Sequence, residues 1–149
     1  MKKIRFIIIF LIIVMLSMLS ACQSATITPN NSATPDVGKV VKVDGGSYKN
    51  VTVIELKTLM ENKDFTLVNV HIPFEGNLPN TDLSIPYDTV SQNVGQLPVD
   101  KSSKIILYCR SGRMSTIAAQ ELVKLGYTNI WNLDSGMAAW EQAGQPIEK

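Results

Sequence analysis

The chain has 149 residues, 45% hydrophobic and 18% charged, with fourteen basic and thirteen acidic residues for a formal charge of +1. That length leaves room for one domain, and the near-balance of charge provides no basic face to release counterions from phosphates, which argues against a nucleic-acid partner. With two cysteines and one histidine in all, any thiol or imidazole chemistry rests on very few side chains.

The N-terminus reads as a targeting segment. Lys2, Lys3 and Arg5 precede an apolar run from Phe6 to Leu16, and Leu19-Ser20-Ala21-Cys22 sets small residues directly ahead of a cysteine. Positive, apolar and small, in that order, is the layout of a secretory leader. The run is shorter than the ~20 apolar residues that cross a bilayer, although an uncleaved anchor is an alternative reading of the same segment. The four residues ending at Cys22 resemble the lipobox of bacterial lipoproteins. The resemblance implies a signal peptide over residues 1–21, acylation of the Cys22 thiol, and a mature chain held on the extracytoplasmic face of the cell membrane. One acyl chain binds a membrane marginally, whereas the two or three of a lipoprotein hold firmly. Without Lys2, Lys3 and Arg5, eleven basic residues face thirteen acidic ones, a formal −2. With Cys22 lipidated, Cys109 has no disulfide partner, and an unpaired thiol in an exported protein needs a reason.

Residues 22–39 are rich in Ser, Thr, Asn, Pro and Ala and too polar to bury a core, as expected of a tether; the domain is expected over 40–149. Val40, Val41 and Val43 form a strand-like run closed by Asp44-Gly45-Gly46, a turn signal, and Ser47 to Val51 is a second extended piece. Thr52 and Glu55 form a capping box, with Val51 and Leu56 spaced for a hydrophobic staple. The helix they open has Ile54, Leu56, Leu59 and Met60 as its apolar side and ends at Asn62-Lys63-Asp64. Phe65 to Val70 is β-prone. His71 to Pro98 is irregular, punctuated by Pro73, Pro79, Pro86 and Pro98, with a short strand candidate at Leu83-Ser84-Ile85.

Lys104 to Tyr108 is a continuous apolar strand, the kind buried on both faces of a parallel sheet. Ser115 to Leu125 has helical period, with Ile117, Ala118, Glu121, Leu122 and Leu125 recurring and Gly126 as C-cap. Asn129 to Leu133 is a strand, and Gly136 to Ala143 a terminal helix carrying Trp140. Strands alternating with helices predict an α/β fold with a mainly parallel sheet and helices on both faces.

Between the strand ending at Tyr108 and the helix opening at Ser115 lies Cys109-Arg110-Ser111-Gly112-Arg113-Met114-Ser115. In open parallel sheets ligands bind beyond the carboxyl ends of the strands, and a helix N-terminus there offers unpaired N–H groups and partial positive charge. A cysteine at that junction, flanked by Arg110 and Arg113, is placed to act as a thiolate. Gly112 lets the backbone curl so that several N–H groups converge. A lone cysteine is more often a small buried hydrophobe, but the two arginines, the glycine and the junction favour a nucleophile holding a sulfur anion.

Cys109 to Ser115 resembles the active-site loop of single-domain rhodaneses, Cys-Arg-Ser-Gly followed by two variable positions and Ser. Leu67-Val68-Asn69-Val70-His71 is similar to the family's Asp-Val-Arg strand, and Gly76-Asn77-Leu78-Pro79 to its Gly-His-Ile-Pro segment. Leu125-Gly126-Tyr127, Leu133-Asp134-Ser135-Gly136, Ala139-Trp140 and Ala143-Gly144-Gln145-Pro146 resemble its C-terminal half. The resemblance spans about Tyr48 to Ile147 and implies a sulfurtransferase without metal or cofactor. By the same resemblance, Cys109 would take a sulfane sulfur from a small anionic donor such as thiosulfate, hold it as a persulfide, and pass it to cyanide or a thiol. Arg110 and Arg113 would orient the donor's oxyanion. Asn69 and His71 stand where the family has Asp and Arg, so an ion pair behind the loop is expected to be absent; Asn77 replaces a His, and Met114 a frequent Arg. His71 follows a different strand, which makes it a weak candidate for a general base. Phosphatases of the same fold need Cys-x5-Arg, and Ser115 occupies the arginine's place. A non-catalytic or redox-sensing binding module is the remaining alternative.

Overall fold

The computed structural model describes residues 37–149. The leader at 1–21, Cys22 and most of the 22–39 tether therefore lie outside the described residues. Within them, β1 (Lys39–Val43) and β2 (Gly46–Val51) form the expected hairpin, paired antiparallel with Val41 opposite Tyr48. Contacts to the domain begin ahead of residue 40. Val37 packs against the core, and the Gly38 amide donates to Glu55 Oε1 at 3.0 Å.

α1 (Val53–Glu61) starts on the capping box read from the sequence. The Glu55 amide donates to Thr52 Oγ1 at 3.3 Å, and the Thr52 amide to Glu55 Oε2 at 2.8 Å. These amide hydrogen bonds, from Thr52 first and then Gly38, hold the Glu55 carboxyl below its ordinary range. Val51 and Leu56, the staple pair, are both fully buried in one cluster. The predicted apolar side is corrected at Ile54, which is 79% exposed. Val53 takes its place beside Leu56 and Met60, because the helix docks through positions three and seven residues beyond Val53, and Ile54 lies a full step around the axis.

β3 (Thr66–Asn69), β4 (Leu83–Ser84), β5 (Ile105–Tyr108) and β6 (Ile130–Leu133) complete a six-stranded sheet in the order β1-β2-β6-β5-β3-β4. Every pairing except the hairpin is parallel. A 3₁₀ segment over Val90–Gln96, kinked at Asn93, lies inside the stretch expected to be irregular. α2 (Arg113–Lys124) starts two residues earlier than its periodicity indicates, and α3 is Gly136–Gln142.

The sheet separates two apolar layers, with helices on both faces as expected. Alternation along β5 divides them: Ile105, Leu107 and Cys109 join the layer with Ala118, Ala119 and Leu122 of α2, while Ile106 and Tyr108 join Leu56 of α1 and Met137 and Trp140 of α3. Each fully buried Leu or Ile in these layers contributes roughly 1.5–3 kcal/mol. The buried side of α2 is Ser115, Ala118, Ala119, Leu122 and Val123, rotated from the predicted stripe, so Ile117 is left 40% exposed. Small alanines face the sheet and let α2 approach it closely, a signal that hydrophobicity alone ranks below isoleucine.

Candidate active site

Alternation along β5 directs Cys109 into the α2 layer, beneath the N-terminus of that helix, with 1% of its surface exposed. The chain then turns at Gly112, whose φ of 87° is left-handed. An added Cβ there would lie 3.2 Å from the Ser135 amide nitrogen, so a side chain is opposed both by conformation and by space. This turn aims the Gly112 N–H at Cys109 Sγ, 3.1 Å away. Ser115, fully buried on the first turn of α2, places its hydroxyl 3.4 Å from the same sulfur and 3.1 Å from the Gly112 carbonyl. The amides of Arg113, Met114 and Ser115 have no acceptor inside the helix, as in the first turn of any α-helix. Burial removes water from the sulfur, and fixed N–H and O–H donors stand where water would have been.

α3 braces this loop from behind. The Met137 amide donates to the Cys109 carbonyl at 2.9 Å and the Ala138 amide to the Arg110 carbonyl at 3.0 Å. The approach is close enough that a Cβ on Gly136 would overlap the Cys109 carbonyl oxygen. The sequence marks Gly136 as the start of the terminal helix and the end of the Leu133–Gly136 motif; neither spacing nor hydropathy shows that it touches the loop.

The remaining loop residues divide by environment. Met114 packs against the α2 layer, and Ser111 and Arg113 are exposed. Among the described residues Arg113 has no carboxylate within 4 Å. Arg110 differs. Its Nη1 is hydrogen-bonded to Glu141 Oε2 of α3, and its Nε lies 3.4 Å from Glu75 Oε2. Bonding to Glu141 first, and the charge of Glu75 as well, hold its guanidinium further above its ordinary value. The two arginines grouped by sequence thus differ in pairing, Arg110 being held between two carboxylates. Neither glutamate carried a sequence signal, since each reaches the loop only through the fold.

Behind the loop the expected lack of an ion pair has a specific form. Asn69 donates to the Gly76 carbonyl and to Asn77 Oδ1, both at 2.9 Å, and accepts from the His71 amide at 2.9 Å. Asn77 Oδ1 also accepts from the Tyr108 hydroxyl at 3.2 Å, and that hydroxyl receives the Leu78 amide at 3.1 Å and meets Thr81 Oγ1 at 2.7 Å. Burial holds the Tyr108 phenol above its ordinary pKa, so it serves as a neutral donor and acceptor. A connected neutral network occupies the place of a charged pair.

β3 and β5 run on side by side, the Val70 amide donating to the Tyr108 carbonyl at 2.9 Å. His71 is therefore next to the loop. Its Nε2 is 3.4 Å from Glu75 Oε1, misaligned for a hydrogen bond, and neither ring nitrogen has a hydrogen-bond partner among the described residues. No hydrogen bond joins it to Cys109.

Comparison with known proteins agrees with this arrangement. The rhodanese-like domain profile matches residues 52–143. A sulfurtransferase of Allochromatium vinosum is 33% identical over 92 residues, 60% of this chain and 83% of that protein. A thiosulfate sulfurtransferase of Shewanella oneidensis is 26% identical over 99 residues, 65% of this chain and 96% of that one. The crystal structure of a rhodanese-like domain protein from Staphylococcus aureus superposes with a TM-score of 0.55 at 30% identity, covering 68% of this chain and 99% of that one. The profile covers more than half of the chain and includes the strand-to-helix loop at Cys109: the chain belongs to the rhodanese-like domain family.

Proposed function

We propose that this protein is a sulfurtransferase that carries sulfane sulfur as a persulfide on Cys109. The observation that carries the reading is the convergence of the Gly112 N–H and the Ser115 hydroxyl on Sγ. In the first half-reaction the Cys109 thiolate attacks the outer sulfur of a donor such as thiosulfate. A new S–S bond forms, the old one breaks, and sulfite leaves with the electron pair. The persulfide terminus then transfers its outer sulfur to cyanide, giving thiocyanate, or to a thiolate, giving a new persulfide, and the Cys109 thiolate is restored. Fixed donors around the sulfur stabilise the anionic states, so no separate general base is needed. A terminal sulfur suits a nucleophile that is 1% exposed. Cys22 is the proposed lipid anchor, holding the domain on the extracytoplasmic face of the membrane. Support for that part comes from the Leu19–Cys22 sequence after its apolar run.

Mass spectrometry of the purified protein after thiosulfate should show one added sulfur atom on Cys109. Cys109→Ser should fold normally, take up no sulfur and show no turnover, because an alcohol forms no stable persulfide. Turnover near the parent rate in that variant would overturn the assignment. The burial of Cys109 favours a second reading, a non-catalytic binding module, over a redox sensor, which needs an accessible thiol; an intact fold that never acquires sulfur would support it. Aryl phosphates should not be hydrolysed, since Ser115 gives the loop no closing arginine. For the anchor, Cys22→Ala should lose palmitate labelling and membrane retention, and equal labelling of variant and parent would disprove lipidation.

A further inference from the structure

We propose that Glu75 and Glu141 are specificity-determining residues that set the charge of the sulfur donor, disfavouring a dianion relative to a monoanion. The inference rests on the sulfurtransferase reading and concerns which donor that site takes.

Charged side chains surround the loop. Arg110 lies between Glu75 and Glu141, and all three are close to half-exposed, with 44–46% of each side chain accessible. Arg113, also exposed, has no carboxylate within 4 Å among the described residues. Glu75 and Glu141 offset the charge that Arg110 brings, and the exposed Asp134, between the Leu133 and Ser135 that Gly112 approaches, adds a further negative charge beside the loop. Ion pairs this exposed add little to stability, and Arg110 can rotate away from either partner. The carboxylates nevertheless stay anchored on α3 and on the segment following β3. A donor therefore meets their charge whichever rotamer Arg110 adopts.

Donor charge matters because the nucleophile is itself an anion. Thiosulfate with the Cys109 thiolate brings three negative charges together and releases sulfite, a dianion. Benzenethiosulfonate brings two and releases benzenesulfinate, a monoanion. Both give up a terminal sulfur with the same S–S cleavage and leave the same persulfide on Cys109. At low ionic strength, removing one carboxylate taken to lie ~8 Å from the donor in a water-like dielectric should tighten a monoanion about twofold and a dianion about fivefold, and added salt should shrink both effects.

The test uses the full-length protein and its Glu75→Gln and Glu141→Gln variants, with both donors measured to saturation. Each substitution should lower KM for thiosulfate about fivefold and for benzenethiosulfonate about twofold, with kcat moving less than KM. A merely structural role would not separate donors by charge. As an independent measure, alkylation of Cys109 by iodoacetate relative to neutral iodoacetamide should rise about twofold in each variant. Equal KM changes for the two donors, or an unchanged alkylation ratio, would overturn the proposal while leaving the sulfurtransferase reading in place. Failure of both donors to leave sulfur on Cys109 would overturn the sulfurtransferase reading itself.

Discussion

Beneath the Cys109 loop the contacts to the sulfur are neutral and buried, whereas around its mouth the contacts are charged and half-exposed. Below, Gly112 and Ser115 hold Sγ, and α3 holds the two carbonyls next to it. Above, Arg110, Glu75, Glu141 and Arg113 stand in water. An error below leaves a buried polar group unpaired or a backbone overlapped; an error above is screened by solvent and salt. On the proposed function, the floor would hold the sulfur anion and the rim would select the molecule that delivers it. The two regions should accordingly respond to substitution in different ways.

The largest effect is expected at Gly136. Its φ of 58° is left-handed and its missing Cβ makes room for the Cys109 carbonyl, so Gly136→Ala should cost about 3–5 kcal/mol of unfolding free energy and abolish sulfur loading. Denaturant titration measures the first and mass spectrometry the second; a loss under ~1 kcal/mol would show that the floor adapts as easily as the rim. Gly112→Ala should follow at about 2 kcal/mol, from left-handed strain and the close Ser135 amide. Because that substitution also misdirects the N–H on Sγ, loading should slow well beyond what the stability change explains. Tyr108→Phe tests the support on the opposite side of the sheet. It strips the Leu78 amide and Asn77 Oδ1 of a buried partner, so about 1–2 kcal/mol should be lost with loading largely retained. At the rim, Arg113→Ala should alter stability by less than about 0.5 kcal/mol but raise KM for thiosulfate, with little effect on handover to a neutral thiol. Equal impairment of the two half-reactions would place Arg113 at the persulfide and blur the distinction between floor and rim.

Much of the fold was legible because local chemistry and global position agreed. The Thr52–Glu55 box, the Asp44-Gly45 turn and the apolar run into Cys109 each mean the same thing in a peptide and in the domain. The loop was legible for the same reason: strand, glycine and helix start are contiguous. Ile54 and Ile117 misled because hydrophobicity says that a side chain can be buried but not which face the sheet will cover. The 3₁₀ segment at Val90–Gln96 has neither the length nor the period that marks a helix. Glu75 and Glu141 were invisible since their role lies in distance to Arg110, which no pattern along the chain encodes. The substitution at Asn69 announced a missing charge; that Asn77, Tyr108 and Thr81 would assemble a neutral replacement required the fold.

The grip of α3 on the Cys109 and Arg110 carbonyls bears on how this chemistry could be moved to another protein. Two of the loop's carbonyls, those of Cys109 and Arg110, are satisfied by a helix that begins well downstream, across an intervening helix and strand. Cys109 to Ser115 is therefore not a portable cassette. Grafted onto another strand–helix junction without a glycine placed like Gly136 and amides placed like those of Met137 and Ala138, the seven residues would keep their sequence and lose their shape. A transplant that worked would have to carry the loop and its brace together, as two segments in fixed register.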